Sequence, residues 1–283
     1  MSKTAFVFPG QGSQTPGMGK DLYDSFPRAK QLFDKADEFL GFRLSEIMFE
    51  GSEEDLRRTD VTQVAVFVHS IADALCNATV EPDAVAGHSL GEFSALCYAG
   101  AIDFTDGLRL VSIRAKAMQK CCEKSPGAMA AIIKLDEQAV KEACAKAGGI
   151  VLPANYNSPA QIVISGEKDA VERACLLCRE AGAKMAVPLS VGGAFHSPLM
   201  ESARQELSKA IDSTSVIAPK CPIFQNFDAL PHIDPLQIKS NLLKQLTSAV
   251  LWTQSVLNMR SNGIETFTEY GPGAVLSALI KRI

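Results

Sequence analysis

The chain has no surplus of positive charge: 28 Lys and Arg face 32 Asp and Glu over 283 residues, a net charge of −4. With no basic face to follow a phosphate backbone, nucleic acid is excluded as its main partner. A long apolar run is also missing. The longest, Val61 to Leu75, is interrupted by Gln63, His69 and Asp73, whereas a bilayer-spanning helix needs about 20 apolar residues. We read it as a core helix and expect no membrane association. The first apolar stretch runs into Pro9-Gly10 too early to be the core of a secretion signal, so a cytoplasmic protein is expected. Repeats and low-complexity segments are absent. Histidine is scarce: His69, His88, His196 and His232 are the only candidates for an imidazole base.

What is present is an ordinary globular composition, 47% apolar and 21% charged. The eight cysteines, Cys76, Cys97, Cys121, Cys122, Cys144, Cys175, Cys178 and Cys221, fall mostly in helical patterns and are read as reduced thiols. Cys175-x-x-Cys178 lies inside the helical pattern Val171 to Ala181, away from a strand-to-helix junction where a thiolate would be stabilised.

Short β-branched or aromatic runs alternate with longer amphipathic ones, the pattern of an α/β protein with a mostly parallel sheet. Thr4–Phe8 and Ala84–Gly87 read as core strands. Asp21–Phe39, Glu53–Asn77, Leu90–Tyr98 and Asp103–Cys122 read as helical, the last capped by Asp103. Between residues 125 and 188 the rhythm becomes βαββαβ, a ferredoxin-like order. The expected organisation is a large α/β domain from residues 1–124 and 189–283 carrying an inserted subdomain, 125–188, with the ligand cleft between them.

Gly87-His88-Ser89-Leu90-Gly91 follows a predicted strand and precedes a predicted helix. This is the context of a G-x-S-x-G nucleophile elbow, in which glycines permit the tight turn and the serine hydroxyl stands at a helix N-terminus. Leu90 N–H is the expected oxyanion donor. Among the histidines, His69 belongs to the apolar helix, His88 adjoins the serine and points away from it, and His232 sits in the turn Pro231-His232-Ile233-Asp234-Pro235. Elimination favours His196, in Gly192-Gly193-Ala194-Phe195-His196-Ser197-Pro198, as general base. Arg114, with Arg109, Lys116, Lys120 and Lys124 around it, reads by composition alone as part of a solvated basic face.

Taken together, Phe8-Pro9-Gly10-Gln11-Gly12-Ser13-Gln14, Gly87-His88-Ser89-Leu90-Gly91-Glu92, Arg114, Gly193-Ala194-Phe195-His196-Ser197 and Gly271-Pro272-Gly273 resemble the malonyl-CoA:acyl carrier protein transacylase family of type II fatty acid synthesis. The resemblance spans essentially the whole chain. It implies a hydrolase-like α/β core with an inserted ferredoxin-like subdomain, Ser89 as nucleophile, His196 as base, and the N–H groups of Gln11 and Leu90 as oxyanion hole. It further implies the main-chain carbonyl of Gln245 as the group that orients His196, and Arg114 as a clamp for the malonyl carboxylate. Met118, Asn155 and Asn157 are implied near the acyl pocket, although Asn155–Pro159 is by composition a strand-to-strand turn. Phe195 fits malonyl rather than methylmalonyl selectivity. The implied partners are malonyl-CoA and acyl carrier protein, the latter steered by some of Arg109, Lys116, Lys120, Lys124, Lys281 and Arg282; a monomer without metal or cofactor is expected. Phe93 departs from the tyrosine often found after Gly-Glu. Two other readings use the same residues: a serine esterase or thioesterase, and a carrier-protein docking module without catalysis.

Overall fold

Ala5-Phe6-Val7-Phe8 is apolar on both faces, and such a strand is stable only in the middle of a parallel sheet covered on both sides. All four residues are fully buried. The computed structural model describes residues 2–283. Its strands are β1 (Lys3–Phe8), β2 (Ala84–Gly87), β3 (Gly127–Ile133), β4 (Val151–Ser158), β5 (Gln161–Glu167), β6 (Met185–Pro188), β7 (Ile223–Phe224), β8 (Pro231–His232) and β9 (Ile264–Glu269).

The large sheet has the order β8-β7-β2-β1-β9, parallel except for the terminal β8. The second sheet, β4-β5-β3-β6, is antiparallel throughout. The helices Glu137–Ala147 and Lys168–Glu180 pack on it, and its core around Ile132, Ile164, Val171 and Cys178 is separate from the main one. Order and connectivity are ferredoxin-like.

The register between β1 and β2 sets Phe8 beside Gly87. The two strands therefore end together, and the loop Pro9–Gln11 leaves the sheet next to the turn His88–Ser89. This is the carboxyl edge at which α/β sheets bind ligands. Backbone contacts there are close enough to require glycine. A Cβ on Gly87 would lie 1.9 Å from the Gly91 carbonyl, and one on Gly91 would lie 2.0 Å from the Phe8 carbonyl oxygen.

Several expectations are corrected by the structure. The segment Asp21–Phe39 is two helices, Lys20–Ser25 and Pro27–Leu40, because Phe26, which precedes a proline, is extended at φ −124° and ψ 115°. Glu53–Asn77 breaks at Arg58 into Glu53–Arg57, with a Ser52/Asp55 capping box, and Thr59–Asn77. A helix at Leu44–Glu50, not expected from the sequence, buries Leu44, Ser45 and Met48. Asn155 to Ser158 belong to β4, so the turn there is only Pro159-Ala160. His232 is not in a solvated turn: it pairs in β8 and its Nε2 lies 2.8 Å from Asp228 Oδ2.

Gly91→Ala is expected to lower unfolding free energy in denaturant by about 2 kcal/mol or more, since a methyl group would be driven into fixed backbone. A variant of unchanged stability would contradict this account of the elbow.

Candidate active site

Ser89 leaves β2 at φ +53°, in the left-handed region, and the helix Gly91–Tyr98 begins immediately after it. The sharp reversal leaves its side chain half-exposed at the sheet edge. His196 also has a positive φ, +57°, and its ring is buried, 2% exposed. Two non-glycine residues held in this sparsely populated region at one site mark a backbone over-determined by its surroundings.

The two side chains meet. Ser89 Oγ lies 2.7 Å from His196 Nε2. On the other side of the ring, His196 Nδ1 is 3.1 Å from the carbonyl oxygen of Gln245 and 3.2 Å from that of Ser248. Carbonyls can only accept, so the proton sits on Nδ1 and Nε2 is left to accept from the serine hydroxyl. Ser248 has no counterpart in the sequence reading, in which Gln245 alone orients the ring.

Arg114 does not belong to a solvated face. It is 1% exposed, on the inner side of the helix Phe104–Lys124. Its Nη2 donates to Ser89 Oγ at 2.9 Å and to Gln245 Oε1 at 3.4 Å, and its Nη1 donates to Gln63 Oε1 at 2.6 Å. Nε has no partner. Phe93 presents its ring to the guanidinium, 5.7 Å from centroid to Cζ, so an aromatic ring, as a tyrosine would also supply, forms the floor beneath the cation. Burial lowers the Arg114 pKa to about 10, opposed by the charge of Glu92, which leaves it protonated at neutral pH. Gln63 stands in the sequence only as a polar break in an apolar helix pattern; its complete burial against Arg114 is a signal the sequence does not carry.

Burial, followed by the Arg114 charge, pushes the His196 pKa down to about 3. The imidazole is therefore neutral and available as a base at neutral pH. His88 turns away from the serine, as expected, and its Nε2 lies 2.8 Å from Asn157 Oδ1; burial lowers its pKa too.

A cavity of about 400 Å³ holds Gln11, Ser89, Arg114, Met118, Asn155, Asn157, Phe195 and His196 on its walls. A larger surface cleft of about 450 Å³, beside Tyr98 and Phe104, contains none of these residues. Gln245 lies behind His196, outside the cavity wall. The amides of Gln11 and Leu90 have no acceptor among the described residues. The backbone N–H of Ser89 donates to Asn226 Oδ1 at 2.6 Å, a second contact absent from the sequence reading. Cys175 and Cys178 are buried in the subdomain, and burial raises both thiols, Cys178 to about 11. Among the described residues no cluster of three His, Cys, Asp or Glu side chains could hold a metal ion.

Imidazole resonances followed by NMR against pH should show His196 titrating well below the usual 6.5. Arg114→Gln should move the titration upward, because a neighbouring cation is removed. The sign for stability follows: below pH 6.5 the unfolded chain takes up the proton first, so this histidine makes the fold less stable as pH falls toward 3. A His196 titration near 6.5 that is indifferent to Arg114 would contradict this.

Residues 5–282 match the acyl transferase domain family. The chain is 44% identical to the malonyl CoA-acyl carrier protein transacylase of Bacillus subtilis over 288 residues, covering all of this chain and 91% of that protein. It is 43% identical to the protein of the same name from Escherichia coli K12, covering all of this chain and 93% of that one. Among solved structures, an acyl carrier protein S-malonyltransferase from Vibrio cholerae superposes with a TM-score of 0.94 at 46% identity, over 99% of this chain and 94% of that one. A malonyl-transacylase in complex with a type II PKS acyl-carrier protein does so with a TM-score of 0.96 at 42% identity, over all of this chain and 93% of that one. The chain belongs to the malonyl CoA-acyl carrier protein transacylase family of acyl transferases.

Proposed function

We propose that this chain transfers the malonyl group of malonyl-CoA to the phosphopantetheine thiol of acyl carrier protein through an ester on Ser89. The observation that carries the reading is the buried Arg114 guanidinium, 2.9 Å from the Ser89 hydroxyl. A buried cation needs a counter-charge, and its direct hydrogen-bond partners are neutral oxygens. The free carboxylate of a malonyl thioester supplies that charge within reach of the nucleophile. An acetyl group has none to offer.

In the first half-reaction, Ser89 Oγ attacks the thioester carbonyl while its proton passes to His196 Nε2. The tetrahedral oxyanion is taken by the amides of Gln11 and Leu90. Cleavage of the C–S bond expels CoA as its thiol, with the proton returned from His196. In the second half-reaction the carrier thiol gives its proton to the same nitrogen, attacks the Ser89 ester, and leaves as malonyl thioester while Ser89 is reprotonated. Ping-pong kinetics follow. The imidazolium formed in each half-reaction is oriented by two carbonyl dipoles rather than by a carboxylate. When malonate neutralises Arg114, the largest cause after burial that depresses His196 is removed, so substrate binding itself strengthens the base.

Proton transfer by His196 and an oxyanion hole suffice for thioester exchange, and we propose no cofactor beyond the two substrates. A reduced cytosolic setting agrees with eight unpaired cysteines. The residue limits 125–188 remain our proposal for the inserted subdomain, and the acyl pocket is proposed to include Met118, Asn155, Asn157 and Phe195. The hydrolase reading is disfavoured because the His196 Nδ1 partners are backbone carbonyls, whereas a hydrolase triad presents an acid there.

Intact-protein mass spectrometry after mixing with malonyl-CoA should reveal a malonyl adduct that is lost in Ser89→Ala and discharged by phosphopantetheinylated acyl carrier protein. Release as free malonate without carrier protein would instead favour the hydrolase. Arg114→Ala should reduce kcat/KM for malonyl-CoA about 10²-fold or more, the worth of one or two charge-assisted hydrogen bonds, with a much smaller effect on acetyl-CoA. Equal losses for both substrates would refute the clamp.

A further inference from the structure

Glu92, the second residue of the helix Gly91–Tyr98, lies under the elbow and is completely buried. A buried carboxylate is costly unless it is well bonded, so its partners indicate its use. Oε2 accepts the backbone N–H of Asn226 at 2.7 Å and Oε1 accepts Gln225 Nε2 at 3.0 Å. Each of these partners offers an N–H, which suits the ionised carboxylate even though burial favours the acid.

The first of these partners also holds Ser89. Asn226 Oδ1 accepts the Ser89 N–H at 2.6 Å, while its Nδ2 donates to the Gly87 carbonyl at 2.6 Å, so one side chain spans the turn. Gln245 Nε2 donates to the Ser89 carbonyl at 2.9 Å, and the Gln245 carbonyl accepts from His196. The other partner of Glu92, Gln225, is tied to the helix that carries Gln245: its Nε2 also donates to the Ile238 carbonyl at 3.2 Å, and its Oε1 accepts from Asn241 Nδ2 at 3.1 Å. Elbow, base and supporting helix thus converge on one carboxylate.

We infer that Glu92 is a positioning residue for the transfer reaction: by binding Asn226 directly and, through Gln225, the helix that carries Gln245, it holds the Ser89 peptide in its left-handed turn and the His196 acceptor in register. The inference rests on the reading of Ser89 as nucleophile. It differs from the role of Arg114, which meets the substrate carboxylate. Loss of Glu92 therefore acts on the reacting geometry and not on malonyl recognition.

The test is steady-state transfer by the intact chain with Glu92→Gln, which keeps the shape but turns one acceptor into a donor facing donors. We expect kcat to fall about 10²-fold, as for a small misplacement of reacting groups, equally with malonyl-CoA and acetyl-CoA, while KM for malonyl-CoA stays near the wild-type value. Asn226→Ala should lose kcat in the same way, and the double variant should be no slower than the slower single, because both break one unit. Wild-type kcat in Glu92→Gln would overturn the inference. So would a loss confined to malonyl-CoA, or losses that multiply in the double variant. If Glu92→Gln does not fold, Asn226→Ala carries the test, and wild-type kcat there overturns it. Ser89→Ala separates the two levels: an adduct that survives it defeats the nucleophile assignment, whereas a wild-type rate in Glu92→Gln with Ser89→Ala inactive defeats only the role of Glu92.

Discussion

A guanidinium that is 1% exposed must be compensated where it stands, and the architecture of the site follows from how Arg114 is compensated. Its hydrogen-bond partners are Gln63 from one helix, Ser89 from the elbow and Gln245 from another helix. Phe93 closes one face of the group. These partners fix the arginine without neutralising it. Glu92 is the anion whose field supports its protonated form, and it is spent on backbone and amide donors. The site is thus pre-arranged around a cation whose direct shell is neutral and which has a nucleophile already in contact.

The same charge governs the base. A neutral imidazole is guaranteed by burial and by Arg114, and its tautomer by the carbonyls of Gln245 and Ser248. An orienting carboxylate in place of those carbonyls would compete with the substrate for the one nearby cation. Carbonyl dipoles orient the ring without that competition, at the expense of weaker imidazolium stabilisation. This connects the absence of an acid behind His196 to the presence of Arg114 in front of it.

The parts of this arrangement legible in the sequence are those enforced by local sterics. Gly87 and Gly91 flank Ser89 because strand and helix backbones meet within 2 Å of where a Cβ would stand, so the elbow can be read from five residues. The buried strands are legible from apolar runs, and the βαββαβ order from alternating periodicity. His196 could be picked out because only four histidines exist. The unread parts depend on long-range contact. Gln63 and Arg114 are 51 residues apart, and Ser89 and Asn226 are 137 apart. Nothing local distinguishes a glutamine that meets an arginine from one that faces water. By composition Arg114 is masked by Lys116, Lys120 and Lys124 on the same helix; the family resemblance singles it out as the clamp, while its burial against Phe93 and Gln63 is visible only in the fold. The break at Phe26 was available from the proline after it, whereas the break at Arg58 has no such local mark.

The central claim is that the arginine now bonded to the nucleophile is the group that takes the substrate carboxylate. A crystal structure of the malonyl-Ser89 ester, formed with malonyl-CoA in the absence of carrier protein, tests it most directly. The account predicts the malonyl carboxylate paired with the Arg114 guanidinium, the Gln63 bond retained and the contact from Arg114 Nη2 to Ser89 Oγ given up. A malonyl carboxylate pointing to solvent, with Arg114 still on Ser89 Oγ, would contradict it.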